Sequence, residues 1–178
     1  MSHAATNAEA RVLVRRIRVL VVLFIVGLVL SGATAMPIAS EVAWLTDFCG
    51  ARALVETPTS TNPPDWAVWL CRVDDALREI GLKHPFVAYG GDWLAFGHFM
   101  LALAFVWAWR EPVRNRWMFD FGLIACALVI PFALIAGHFR GIPMWWRVID
   151  ISFGVVGAVP LWLARRWSAR LEGNGAIS

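Results

Sequence analysis

The chain has 178 residues, of which 59% are hydrophobic and only 16% are charged. A soluble domain is nearer half apolar and a quarter charged, so the composition indicates a membrane protein. The net charge of +3 could suit a nucleic-acid-binding protein, but the basic residues lie in short clusters beside apolar stretches. We therefore expect the lipid bilayer as the surrounding partner, and no nucleic acid.

Four apolar stretches each have about the length of a membrane-spanning helix, which is roughly 17 to 25 residues. They run over about residues 19–35, 93–109, 121–137 and 148–164, and among their residues only Asp150 is an acid. Buried helices of a soluble protein would carry polar residues every few positions. The pattern therefore predicts an all-α integral membrane four-helix bundle that forms a single domain over residues 1–178.

The first stretch also has features of a secretory signal peptide. Arg15, Arg16 and Arg18 precede it, and Ala33-Thr34-Ala35 resembles a cleavage site. The apolar run is longer than a usual signal core and starts only at Val19, so an uncleaved helix is the favoured interpretation. Cleavage would leave three spans and an N-terminus outside.

The basic residues predict how the spans are oriented. They cluster before span one, between spans two and three, and after span four: Arg11, Arg15, Arg16, Arg18; Arg110, Arg114, Arg116; Arg165, Arg166 and Arg170. With four spans, all three segments share one side of the membrane, which the positive-inside rule places in the cytoplasm. Both termini are then cytoplasmic, and a long loop of about residues 36–91 lies outside.

The long outer loop is predicted to contain an amphipathic helix over about residues 66–80. Thr57–Pro64 is a loop by composition, and Asp65 is expected to cap the helix. The apolar residues of the helix recur at three- and four-residue steps: Trp66, Trp69, Leu70, Val73, Leu77 and Ile80. Such a helix would lie on the membrane surface or fold over the bundle, and Gly81 and Pro85 should end it.

Two of the three cysteines, Cys49 and Cys71, lie in this outer loop. In an oxidising periplasm they could form a disulfide that joins the amphipathic helix to the end of span one, and two unpaired thiols are the alternative. Cys126 lies inside span three and is expected to be a small packing residue.

Small residues at four-residue steps predict where the spans contact one another, since helices in lipid associate through close backbone approach. The pairs are Gly27 with Ser31, Gly122 with Cys126, and Gly154 with Ala158, and Gly32 and Gly157 lie beside two of them. Gly and Ala are also simply common in membrane helices, so this interpretation has a plain alternative.

Six ionisable residues are expected in the outer half of the spans or at its border: Asp92, His98, His138, Arg140, Arg147 and Asp150. Such groups are costly at membrane depth, so they usually pair, face the bundle interior or take part in function. In the structural interpretation Asp150 pairs with Arg147 or Arg140, Asp92 caps span two, and His98 bonds a carbonyl.

The functional interpretation makes the same six residues a site, in three versions. His98 and His138 could be the axial ligands of a haem b. The two histidines with Asp92 and Asp150 could hold a zinc or iron ion. Arg140 and Arg147 could hold an anionic headgroup or a small acid, while His98 or Asp150 moves a proton.

Two stretches, of which one is Pro85–His98 and the other comprises Arg140–Pro143 and Trp146–Gly154, resemble a group of small bacterial inner-membrane proteins described only as hypothetical. The resemblance covers roughly residues 64–165. It implies a bacterial source, a location in the inner membrane and a four-span plan, and it carries no activity with it.

Three functions follow as expectations. The first is a non-catalytic accessory or partner-binding subunit, with a membrane protein or a second copy of the chain as its partner. The alternatives are a membrane enzyme or redox protein that uses the polar cluster, and a small transporter that acts as an oligomer. The small size, the contact stripes and the lack of a catalytic motif favour the first.

Overall fold

The computed structural model describes the backbone of residues 2–57 and 62–173, and the side chains of residues 8–57 and 62–173. Within these residues the chain is helical and contains no strand, so the all-α fold class is confirmed. The elements are α1 Ser2–Ala35, α2 Ile38–Phe48, α3 Ala51–Glu56, α4 Asp65–Lys83, a 3-10 helix Pro85–Ala88, α5 Tyr89–Arg110, α6 Trp117–Phe139 and α7 Met144–Gly173. Residues 58–61 of the predicted loop lie outside the described residues.

Four segments are long and apolar enough to cross a membrane: Ala8–Ala35, Pro85–Arg110, Trp117–Phe139 and Met144–Gly173. Large apolar side chains on them point away from the protein, among them Phe132 and Val156, which are 74% and 69% exposed. Surface of this kind is unfavourable in water and suits contact with lipid tails. The chain is therefore a multi-pass membrane protein.

The helices extend beyond the apolar stretches read from the sequence. α1 continues through the arginines that precede Val19, and α7 continues past Ala164 to Gly173. A charged residue ends the apolar stretch but not the helix, because Arg, Glu and Ala all favour helical backbone. Each helix therefore continues beyond the hydrocarbon layer.

The chain divides into two compact units. The first, here called the span unit, comprises Met1–Leu28 and Leu101–Ser178, and the second, the loop unit, comprises Val29–Met100. The boundaries between the units fall within α1, after Leu28, and within α5, after Met100.

The span unit is built around close packing of α6 against α7. Its core contains Phe105, Phe119 and Leu161, all at most 2% exposed. A Cβ placed on Gly154 would lie 2.7 Å from the carbonyl oxygen of Cys126, which confirms the predicted contact between these two helices. The predicted helix contact at Gly27 is wrong, because a Cβ added there would meet no described heavy atom within 4 Å.

The loop unit contains more helix than the sequence indicated, since α2 and α3 precede the predicted amphipathic helix. Two of the three predicted end signals of that helix are wrong. Pro64, and not Asp65, is the cap, and its carbonyl oxygen accepts the N–H groups of Ala67 and Val68. Proline can hold this position because its fixed φ suits the start of a helix. Gly81 lies inside α4, whereas Pro85 follows the C-cap residue His84 and ends the helix as predicted, and it also begins the 3-10 helix.

The buried face of α4 includes Leu70 as predicted, but its other buried residues were not predicted. Ala67, Leu70, Cys71 and Asp74 are buried, whereas Trp66 is exposed. α2 and α3 both pack against α4, and a close helix contact favours the small residues of this face over the indole rings. An aspartate thus lies at the centre of the loop unit.

Candidate functional site

His98 lies in the loop unit on α5, where it bonds its own helix. Its Nδ1 lies 2.8 Å from the carbonyl oxygen of Leu94, as the structural interpretation expects. Its face of the helix packs closely against α1, since a Cβ added to Gly32 would lie 3.1 Å from the His98 Cβ and 3.0 Å from the Ala95 oxygen. The position of His98 is thus explained by packing and by one hydrogen bond.

Arg147 lies in the span unit and holds the turn between α6 and α7. Its Nε donates to the carbonyl oxygen of Ile142 at 2.8 Å, and Nη1 lies 3.5 Å from that of Leu134. Its side chain lies over Gly137, where a Cβ would come within 2.7 Å. A cation at the C-terminal end of α6 is also favoured by the helix dipole. The predicted pairing of Asp150 with Arg147 is wrong, because Arg147 bonds backbone carbonyls instead.

The remaining members of the predicted cluster belong to both units. His138 and Arg140 are exposed, Asp150 is half-buried, and none of the three forms an ion pair with a described residue. Asp92 lies exposed in the first turn of α5, in the loop unit. In neither unit do the described residues include a group of three His, Cys, Asp or Glu side chains able to hold a metal ion.

The densest polar arrangement was not predicted: a network of Arg52, Asp74 and Arg78 in the loop unit. The Asp74 side chain is fully buried, and Arg52 donates through Nη2 to its Oδ2. Arg78 Nε donates to the other carboxylate oxygen, Oδ1, at 2.9 Å. Arg52 Nη2 also donates to Asp75 at 2.7 Å. One arginine therefore joins α3 to α4 through two carboxylates.

The two arginines decide the charge state of Asp74. Burial by itself would raise the pKa of this carboxyl, but hydrogen bonds from Arg78 and Arg52 outweigh it, so the pKa falls below its ordinary value. The hydrogen bonds that Arg52 donates to Asp75 and Asp74 raise its pKa above the usual range. The network is fully ionised at neutral pH, and its role is to hold helices together.

In the sequence, Asp74 is one of several acids in the long outer loop, and composition alone does not separate it from the others. A signal was present. Ala67, Leu70, Cys71 and Asp74 follow the spacing of one helix face, and Arg78 stands four residues after Asp74, within reach on the same face. The sequence gives no sign that Arg52 belongs to the network, because a loop separates it from Asp74. The two residues meet only because α3 packs against α4.

The predicted disulfide is not formed. Cys49 is free and exposed at the end of α2, while Cys71 is free and buried on the face of α4. The thiols differ in exposure because Cys71 faces the packed interior of the loop unit and Cys49 does not.

We predict that the two thiols alkylate at very different rates. Burial raises the pKa of the Cys71 thiol, so both its access and its thiolate fraction are low near pH 7. A polar maleimide should modify Cys49 at least about tenfold faster than Cys71. Mass spectrometry of the modified peptides in a time course measures this directly. Equal rates, or no reaction of either thiol until a reductant is added, would contradict the arrangement.

In the span unit, arginines also bond groups near the C-terminal ends of α5 and α7 and the start of α6. Arg18 on α1 donates to the carbonyl oxygens of Trp109 and Arg110, at 3.2 and 3.1 Å, and so caps the end of α5. Two ion pairs at this end, Arg165 with Asp120 and Arg116 with Glu172, join α6 or the turn before it to α7. Much of the basic charge here is therefore used in structure.

Comparison with known proteins gives no relative: no family model, no curated protein and no solved structure matches this chain. The geometry of the two units therefore carries the functional argument.

Proposed function

We propose that this chain is a non-catalytic accessory subunit of a bacterial inner membrane, and that the loop unit binds a partner membrane protein. The observation that carries the proposal is an exposed aromatic pair on α2. Trp44 and Phe48 are 64% and 74% exposed, and their rings stack with centroids 5.1 Å apart. α2 has only 11 residues and is too short to cross a bilayer.

A protein suits this pair better than the lipid surface does. Exposed aromatic rings within a polar rim are typical of the centre of a protein interface. Glu41 and Asp47 are exposed on the same short helix, and their negative charge opposes docking on anionic lipid headgroups. The expected partner surface is therefore an apolar recess with basic residues around it.

The network of Arg52, Asp74 and Arg78 supports this role, because it fixes α4 against α3 and so gives α2 a rigid support. The polar residues of the spans support it as well. His98 and Arg147 each bond carbonyls of the backbone, which accounts for their presence without catalysis.

Photo-crosslinking tests the partner. A photoreactive phenylalanine analogue at position 48 should give one discrete adduct with another membrane protein in cells, and Trp44→Ala should abolish it. The same analogue at position 132, on the lipid-facing side of α6, is the matched control and should give none. An adduct of twice the chain mass would identify a second copy as the partner and overturn the accessory role. Absence of any adduct at position 48 would refute the proposal.

The arrangement of basic residues leads us to place both termini in the cytoplasm and the loop unit outside. Cys49 provides a native probe of this orientation. In spheroplasts, which lack the outer membrane, a membrane-impermeant maleimide should label Cys49. In a Ser178→Cys variant without the native cysteines, the new thiol should react only after the inner membrane is opened. The reverse pattern would show the opposite topology.

A further inference from the structure

A groove in the span unit carries a second inference. It lies between α1 and α7 and has a volume of about 410 Å³, lined by Val12, Arg15, Arg16, Val19, Leu20 and Trp167. It is a shallow groove open to the surroundings and not an enclosed cavity. Its walls are mainly apolar side chains and the tryptophan, and among the described residues that line it the charges are those of Arg15 and Arg16.

Arg15 and Arg16 differ from the structural arginines of the same end. Arg18 caps α5, and Arg165 pairs with Asp120. By contrast, neither Arg15 nor Arg16 has a hydrogen bond or an ion pair with any of the described residues, and both are exposed. Two cations therefore remain available at the groove.

The position of the groove along α1 matches the boundary of a bilayer. Arg15 and Arg16 lie one turn before Val19, where the apolar run begins. From Val12 to Leu20 the helix rises by about 12 Å, enough to pass from the headgroup region into the start of the hydrocarbon layer. Trp167 on α7 is of the residue type that favours this depth.

We infer that the groove binds an anionic phospholipid from the surrounding leaflet. The phosphate contacts Arg15 and Arg16, and the upper part of an acyl chain lies along Val19 and Leu20. A guanidinium binds a phosphate through paired N–H groups, which a zwitterionic headgroup matches less well because it adds its own cation. The inference does not depend on the partner of the loop unit. It needs only that this end of the span unit lies at a membrane surface.

Native mass spectrometry of delipidated protein titrated with dioleoyl phosphatidylglycerol tests the inference. The wild type should bind the first lipid more tightly than it binds dioleoyl phosphatidylcholine. Each arginine near an anionic surface contributes about 1 kcal/mol, so Arg15→Gln/Arg16→Gln should weaken phosphatidylglycerol binding by roughly 25-fold. Binding of phosphatidylcholine should change little.

The matched control is Arg110→Gln/Arg170→Gln, which removes the same charge from exposed positions at the same end of the span unit. It should reduce binding less than about threefold, as expected for exposed, screened charges that do not line the groove. An equal loss in the two double variants would mean that overall charge, and not the groove, attracts the lipid. No loss in Arg15→Gln/Arg16→Gln would also overturn the inference. Either result would leave the crosslinking test of the loop unit unaffected.

Discussion

Arg52→Ala should lower the stability of the loop unit by about 2 kcal/mol, because it leaves the buried Asp74 carboxylate with one arginine. Removing one partner of a fully buried pair costs about 3–5 kcal/mol. Here the cost is smaller, since Arg78 remains and the Arg52 side chain is 31% exposed. The rate of Cys71 alkylation follows the population of opened loop unit and should rise by roughly 25-fold.

Lys83→Ala is the control for this change. Lys83 and Glu79 form an ion pair on the same helix at 2.7 Å, but both side chains are more than 60% exposed, so the loss should be below about 0.5 kcal/mol. Asp74→Asn in the Arg52→Ala background should recover part of the stability, because it removes the buried charge. If Arg52→Ala alkylates no faster than Lys83→Ala, the network does not hold the unit together.

The same network predicts a pH dependence. The pKa of Asp74 is lower in the folded protein than its ordinary value of 3.8, so its contribution to stability is fully present above that value. The contribution is lost as the pH falls through the folded pKa, because protonation then breaks the hydrogen bonds from both arginines. The helical circular dichroism signal of the wild type, followed during an acid titration, should therefore fall below about pH 3.8, and less so in Asp74→Asn.

Gly154→Ala should destabilise the span unit by about 1–3 kcal/mol, as overpacking of a close contact does. The added Cβ would lie 2.7 Å from the carbonyl oxygen of Cys126 and 3.3 Å from the Cβ of Val129. The oxygen is a backbone atom of α6, and the Cβ of Val129 is bonded directly to that backbone. Rotation of a side chain cannot move either atom away, so the two helices must move apart. Thermal unfolding of the purified protein in mild detergent, followed by tryptophan fluorescence, measures the loss.

Gly27→Ala is the matched control, since it makes the same substitution within a membrane helix where a Cβ meets no described heavy atom within 4 Å. It should leave the transition unchanged or raise it slightly, because alanine favours helix by roughly 0.5–1 kcal/mol over glycine. Equal transitions for the two variants would mean that α6 and α7 are not in close contact at Gly154.

The sequence by itself determined the four spans, and the reason is physical. A helix that crosses a bilayer must satisfy its own backbone and cover itself with apolar side chains, so each span is written in consecutive residues. The contact of Gly154 with α6 could be anticipated for the same reason, since small residues at helix spacing are a local signal. The helix over residues 66–80 could also be located, because its period is local.

The tertiary structure alone decided which face of α4 is buried and what Asp74 does. The predicted face followed the largest apolar residues, but the packing of α2 and α3 selected the face with Ala67 and Cys71. Arg52 joins Asp74 across a loop, and nothing in the spacing of two residues on different helices fixes such a pair. The sequence also left open what single polar residues of the spans and of the loop contact, since a position along a helix does not fix the direction of the side chain. Arg147 bonds backbone carbonyls and not Asp150, and Cys71 is buried whereas Cys49 is exposed.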